Sequence, residues 1–307
     1  MTNDSIFRYN ETFYGGTEIM ARGFIANILP EMKNIQKYHC VILPGHFPDL
    51  RTWGTDGKET ILWIHNTISQ FRPELKQVLQ NKLIKNSIKY IVSVSEYAKK
   101  EIAKDLDFDL NKIIVIPNAI NSIIPVSQKF EDINKVKLIH ASNKDRGLDI
   151  LLKAIPLVDE DFEINIFNNF YPDLPHGFDP KVIDDPRINF YGQTPRKTVY
   201  RFMAEAHVHA YPSIYPETSC LTQMEALSAG CYSVHTDLGA LPETSMGHGT
   251  MIPFADLTPE RYAEELTKAI RSIKTNGYDY SKQKADIDAT FSWQKAKENW
   301  LKFDESI

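Results

Sequence analysis

The stretch "YPETSCLTQMEALSAG", residues 215–230, holds two carboxylates, Glu217 and Glu225, eight positions apart. The apolar residues Leu221, Met224, Leu227 and Ala229 predict a helix that ends at Gly230. Polar Thr218, Ser219 and Thr222 sit at its mouth, where free backbone amides favour an anion. Eight fully helical residues rise roughly 12 Å, so an anion at those amides would lie between the two acids. Such an arrangement suits a ligand with hydroxyls on both sides of a diphosphate. A second reading is structural: Thr222-x-x-Glu225 matches a capping box, in which Glu225 satisfies a backbone N–H and Glu217 is a loop acid. The stretch alone leaves both open.

Three further stretches could carry chemistry. In "LIHASNKDRGLDILLKAI" a strand ends at Ala141, and the turn after it carries Lys144 and Arg146. Two cations between a strand and a helix make a pocket for a diphosphate, or else a charged turn relieved by Gly147. In "FYGGTEIMARGFIANIL", Gly15 and Gly16 precede an amphipathic helix. Paired glycines let a backbone approach a ligand closely, or simply open the helix with a tight turn. This is neither G-x-G-x-x-G nor a Walker loop, so neither a dinucleotide nor an ATP fingerprint is present. In "ILWIHNT", His65 ends a buried strand, either as a hydrogen-bond partner for a ligand or satisfied by its own loop. His207 and His209 in "AHVHAYPS" share a strand face, but no third metal ligand stands at a usable spacing.

The elements that must position these residues follow from short apolar runs alternating with helical patterns, the order of parallel α/β layers. Strands are predicted at "YHCVILPG", "TILWIHN", "KYIVSVS" and "KIIVIPNAI", with helices over 17–30, 73–87 and 95–106. A polar stretch with a proline follows, after which come strands at "VKLIHAS", "FEINIFNN", "INFYGQ", "VHAYPS", "CYSVHT" and "GTMIPF". The helices of this second series are predicted over 147–156, 195–206, 221–229 and 258–275. Phe291, Trp293, Ala296, Trp300 and Phe303 recur at helical spacing in a closing helix. The economical architecture is α/β with two Rossmann-like, doubly wound domains facing a cleft. The first spans 1–124, a linker 125–135, the second 136–285, and a helix over 286–307 packs back across them. Ligands of such sheets bind outside the carboxyl ends of the strands.

Composition narrows the function classes. With 42% hydrophobic and 24% charged residues, the 307-residue chain reads as globular and long enough for two cores. It has no run of eighteen apolar residues, and its polar start lacks the apolar stretch of a signal peptide. Cys40, Cys220 and Cys231 are too few and scattered for a disulfide framework, so a cytoplasmic location is expected. Residues 1–125 carry 15 Lys and Arg against 13 Asp and Glu, leaving 20 against 27, so the halves are +2 and −7 and total −5. That balance argues against nucleic acid as a partner. The basic 72–104 region reads first as solvated helix faces and second as a patch for an anionic membrane surface.

Taken together, these blocks resemble the family-4 glycosyltransferases, retaining enzymes of the GT-B fold. "PETSCLTQMEALSAGCYSV" resembles that family's E-x7-E block, with Thr222 where a proline commonly opens the helix. "GGTEIMARGFIANIL" resembles its glycine loop, and "RGLDILLKAI" the block written K-G-h-x-h-L-L-x-A. "VSVSEYAKKEI", "VIPNAI", "GALPE" and the "FSWQKAKENWL" tail also fit, in the family's order from about residue 14 to residue 301. The resemblance implies that Glu225 binds the donor ribose and Glu217 the transferred sugar. It implies that the amides of Thr218, Ser219, Cys220 and Leu221 face the diphosphate, and that Arg146, helped by Lys144, takes the place of a phosphate-binding lysine. Gln193 and Thr194 would meet the base, and Gly15, Gly16 and His65 would approach the phosphate and reacting sugar. Two departures stand out. Only about a dozen residues precede Gly15, so the usual first strand is expected to be absent or irregular and the first domain short, and the G-R before the lysine is missing.

The expected reaction is therefore sugar transfer from a nucleotide diphosphate sugar to a hydroxyl acceptor with retention at the anomeric carbon, without metal or other cofactor. Glu217 and His65 are the residues expected at the reacting centre. The alternatives are a non-catalytic nucleotide-sugar-binding partner subunit, or a GT-B enzyme of other chemistry such as an epimerase or phosphorylase. A nicotinamide oxidoreductase fits worst, because no dinucleotide fingerprint follows any predicted strand.

Overall fold

A computed structural model of the chain describes residues 15–43, 57–71, 73–131, 133–167 and 184–307. Two compact units emerge. The first runs to Ala119 and takes back Trp293–Ile307; the second is Ile120–Ser292.

In the first unit, helix α1 (Gly16–Asn27) is followed by strands β1 (His39–Leu43) and β2 (Thr60–Ile64), helices α2 (Pro73–Gln80) and α3 (Lys82–Ser87), strand β3 (Ile88–Ser93), helix α4 (Glu96–Leu106) and strand β4 (Ile113–Val115). The strands pair in parallel in the order β1-β2-β3-β4. Every residue of β2 is buried, as a strand covered on both faces requires. The helix expected over 73–87 is two helices. Asn81 adopts an extended conformation between them, and its side chain accepts from the Leu83 amide to cap α3.

The second unit contains β5 (Val136–Ala141), α5 (Leu148–Ala154), β6 (Phe162–Phe167), β7 (Ile188–Tyr191), α6 (Arg196–Glu205), β8 (Val208–Tyr211), α7 (Leu221–Ser228), β9 (Tyr232–Thr236), α8 (Leu241–Ser245), β10 (Thr250–Ile252), α9 (Pro259–Asn276) and α10 (Ser281–Phe291). Its all-parallel sheet has the order β10-β9-β8-β5-β6-β7. From β5, the chain builds outward through β6 and β7, then returns to place β8 on the other side of β5. This is the Rossmann order, and the point where it reverses lies between β5 and β8. All ten expected strands form. Helix α8 was not among the expected elements, and the helix expected over 286–307 is two: α10, which already begins at Ser281, and a second from Trp293, with Ser292 extended between them. Within the stretch expected as a linker, Lys129 is buried in this unit, its Nζ donating to the carbonyls of Ala229 (2.6 Å) and Met203 (3.3 Å).

The tail forms α11 (Trp293–Ser306), which belongs to the first unit, whereas Phe291 closes α10 in the second. The Trp300 ring lies 4.6 Å from Phe24 and 5.0 Å from Trp63, and the buried Asp304 carboxylate accepts from the amides of Lys33, Asn34 and Ile35. Those three bonds offset the cost of burying its charge. Among the described residues, no helix is long and apolar enough to cross a membrane.

Candidate functional site

The two loops flanking the strand-order reversal carry the residues singled out by type. The turn after β5 holds Lys144, Asp145 and Arg146; the loop after β8 holds Tyr215 and Glu217. Gly147 brings these two loops close, and Gly239, in the loop after β9, packs against the second of them. Gly147 has φ +82°, and a Cβ there would stand 1.8 Å from the Pro212 carbonyl oxygen. Gly239, at φ +70°, pairs in parallel with Glu217, and a Cβ on it would lie 2.3 Å from the Glu217 carbonyl oxygen. Both contacts admit only a residue without a side chain. The Ala240 amide then donates to the Glu217 carbonyl at 2.7 Å, fixing the backbone of that acid.

The side chain of Glu217 is fixed as well. Its Oε1 accepts from Arg146 Nε and from the Tyr211 hydroxyl, both at 2.8 Å. The Arg146 guanidinium lies over the Tyr215 ring, 3.5 Å from its centroid, while its Nη1 pairs with Asp145 at 2.7 Å. Burial pushes the Glu217 carboxyl above its ordinary range, although Arg146 and Tyr211 pull the other way. Burial opposes the Arg146 charge too, but Glu217, Tyr211 and Asp145 outweigh it and the guanidinium is held more basic than usual. The phenol of Tyr211, wholly desolvated, is driven well above its ordinary value and stays a hydrogen-bond donor.

Glu225 is set on α7 and is 3% exposed. Its Oε1 accepts from Arg196 Nη2 and from the Tyr200 hydroxyl, the latter at 2.7 Å; both partners lie on α6. The capping box does not form. Thr222 lies inside α7, its hydroxyl donating to the Ala141 carbonyl at 3.1 Å, and the residue before the helix, Cys220, makes no side-chain cap bond. The acid at Glu225 is thus held by side chains, and the start of α7 is tied to the end of β5.

The other expected residues divide by unit. Lys144 is half-buried in the β5 turn, where its carbonyl accepts from the Leu148 amide at 3.3 Å. Gln193 is exposed between β7 and α6, next to Thr194, whose hydroxyl donates to the Gly192 carbonyl at 2.9 Å. Thr218 and Cys220 are buried, Leu221 opens α7, and Ser219 Oγ is buried with no partner among the described residues. In the first unit, Gly15 precedes α1 and Gly16 opens it. His65 follows β2, its ring 4.6 Å from that of Trp63, and burial lowers its pKa to about 3, so it is neutral near pH 7. The roles of Gly15, Gly16 and His65 rest on the family resemblance alone. His207 is structural: Nδ1 accepts from the Lys137 amide and Nε2 lies 2.8 Å from the Lys129 carbonyl. No group of three or more His, Cys, Asp or Glu among the described residues is placed to hold a metal ion.

Sequence reasoning missed Tyr211, Tyr215, Arg196, Tyr200 and Gly239. The i,i+4 spacing of Arg196 and Tyr200 on a predicted helix was the one available signal, and nothing local linked it to Glu225.

Residues 136–273, which span the whole arrangement, match the family described as glycosyl transferases group 1. The chain is 23% identical over 246 residues to the phosphatidylinositol N-acetylglucosaminyltransferase gpi3 subunit of Schizosaccharomyces pombe, covering 75% of this chain and 52% of that protein. It is 24% identical over 263 residues to a human phosphatidylinositol N-acetylglucosaminyltransferase subunit, covering 80% and 51%. The chain thus spans about half the length of the curated relatives it matches. Among solved structures, a glycosyltransferase from Rickettsia africae superposes with a TM-score of 0.69 at 15% identity, covering 97% of this chain and 83% of that one. Anabaena HepE in complex with UDP superposes at 0.70 and 14% identity, covering 89% and 80%. These likenesses place the fold in the GT-B class.

Proposed function

We propose that the protein is a retaining glycosyltransferase that moves a sugar from a nucleotide diphosphate sugar to a hydroxyl acceptor. The observation that carries this reading is the Arg146–Glu217 pair at the β5/β8 reversal, with Glu225 on the next helix, inside the segment that matches the glycosyl transferases. Each group suits one part of such a donor. Arg146 Nη2 donates to the diphosphate, as do the amides from Thr218 to Leu221, with Lys144 adding charge. Glu225 accepts from the ribose hydroxyls and Glu217 from those of the sugar. Gln193 and Thr194 meet the base.

The chemistry asked of the protein is positioning and stabilisation of the leaving diphosphate. In a front-face route the departing phosphate takes the acceptor's proton, the anomeric C–O bond to phosphate breaks, and the acceptor oxygen bonds on the same face. Arg146 meets the charge that develops on the phosphate, and the reaction proceeds without a metal ion.

The relatives' names and the UDP complex guide the choice of substrates: UDP-N-acetylglucosamine as first donor and an inositol phospholipid as first acceptor. A lipid acceptor fits a peripheral cytoplasmic location, with the basic 72–104 region against anionic headgroups. A thermal-shift panel of UDP-, GDP-, ADP- and dTDP-sugars identifies the donor, and NMR of the product reports the anomeric configuration. Glu225→Ala should weaken donor binding on the order of tenfold. Glu217→Ala should mainly lower turnover. Activity should survive EDTA; its abolition, with rescue by a divalent ion, would count against the metal-free route. Equal melting losses in both variants with donor affinity unchanged would reduce the two acids to structural groups.

A second reading is a nucleotide-sugar-binding subunit without turnover, favoured by the relatives' being named subunits. Calorimetric donor binding with neither transfer nor donor hydrolysis would select it.

A further inference from the structure

The two acids of the site are held in the same way. Glu217 Oε1 takes one bond from an arginine, Arg146, and one from a tyrosine, Tyr211. Glu225 Oε1 likewise takes one from Arg196 and one from Tyr200. In both, Oε2 has no hydrogen-bond partner among the described residues. The tyrosines stand on regular elements, Tyr211 at the end of β8 and Tyr200 inside α6, and the Tyr211 ring is locked between His209 (5.1 Å) and His140 (6.0 Å). A carboxylate with one oxygen committed to two fixed donors has lost its rotational freedom. Its second oxygen, an acceptor only, then takes a ligand hydroxyl.

We propose that Tyr211 with Arg146, and Tyr200 with Arg196, are two separate positioning clamps that turn each acid into a single-oxygen hydroxyl acceptor. The Glu225 clamp serves the nucleotide and the Glu217 clamp serves the sugar. This rests on the donor reading above. It adds that the sugar and nucleotide ends of the ligand are recognised by independent tyrosine hydroxyls, which neither contact the ligand nor take part in the transfer.

The test is built on binding, so it holds whether or not the protein turns over. Calorimetry on the wild type first fixes the tightest nucleoside diphosphate among UDP, GDP, ADP and dTDP, and its best sugar derivative. Tyr200→Phe should weaken the free diphosphate and its sugar derivative by the same factor, about three- to tenfold. Tyr211→Phe should leave the free diphosphate unchanged and weaken only the extra affinity conferred by the sugar. In the Glu217→Ala background, where no oxygen remains for the hydroxyl to hold, Tyr211→Phe should have no further effect on that sugar increment, which separates positioning from a general loss of packing. Arg196→Lys, which keeps the charge but not the planar fork, should reproduce Tyr200→Phe and covers the case in which that variant folds poorly. A wild type that binds none of the nucleotides would overturn the donor reading itself. A wild type that binds while Tyr200→Phe keeps both affinities, or while Tyr211→Phe either keeps both or weakens the free diphosphate as much as its sugar derivative, would overturn the clamps and leave the donor reading standing.

Discussion

At the residue scale the site is a problem of buried charge. Glu217 and Arg146 have side chains 12% and 17% exposed, so each is compensated chiefly by the other. Arg146→Met should therefore destabilise the protein by about 2 kcal/mol near pH 7.5. The sign of the pH effect follows from the carboxyl. Burial already raises its pKa, and losing Arg146 raises it further, so the folded variant binds a proton more tightly than the unfolded chain does. The penalty is full above the folded-state pKa and shrinks as the pH falls through it. Denaturant unfolding of both proteins at pH 7.5 and 5.5 should show the gap narrowing at the lower pH; a constant or wider gap would contradict the pairing. The sequence marked both acids, because their spacing around a helix start is local. It could not choose between cap and ligand site, since the choice depends on Thr222 finding the Ala141 carbonyl, 81 positions away. Nor could it show Tyr211, Arg196 and Tyr200 as partners, because the α6–α7 packing and a loop turning back on its strand bring them to the acids.

At the element scale, regular runs were legible and their interruptions were not. Strands such as β2 and β8, buried along their whole length, were readable because a parallel sheet covered on both faces demands mostly apolar runs, whereas the partly exposed edge strands β7 and β10 were readable from their place in the strand–helix alternation. The break at Asn81 was hidden because Leu75, Leu79 and Leu83 keep helical spacing across it, although Ile84, and not the exposed Leu83, is the residue α3 buries. The start of α10, before residue 286, was hidden for the opposite reason: it is buried through Gln283, whose amide donates to the carbonyls of Leu227 and Cys231. Helix α8 has only five residues and matters through the turn before it, where Gly239 abuts Glu217. Gly239→Ala must displace that backbone and should cost about 2–3 kcal/mol. Gly247→Ala, also at positive φ but with nothing within 4 Å of the added Cβ, should cost only about 1 kcal/mol. If thermal unfolding gives the two equal losses, the close approach to Glu217 carries no energy and the loop is held by something else.

At the scale of the whole molecule, the two units differ in how they carry histidine. In the second unit His140, His207, His209 and His235 are all buried, on or beside the central strands. Desolvation lowers the pKa of His140, His207 and His235 to about 4 and drives that of His209 well below its ordinary value. In the first unit His65 shares this condition. A histidine buried neutral binds a proton more readily once unfolded, so acid favours the unfolded chain. Stability from this source is full above the unfolded pKa of about 6.5 and is lost progressively toward the folded value. With four such residues against one among the described residues, the transition of the second unit should fall faster than that of the first as the pH drops from 7 to about 4. Ion-paired carboxylates such as Asp185, whose pKa Arg187 lowers, move stability the same way, but only below their ordinary range near pH 4. Loss that begins at pH 6 is therefore the histidines' signature. Scanning calorimetry between pH 8 and 4.5 should resolve it as a downward shift of one transition, reversible on return to pH 7. Flat behaviour down to pH 5 in both transitions would mean that these rings gain compensating partners when protonated, and that the second unit tolerates acid better than its core composition predicts.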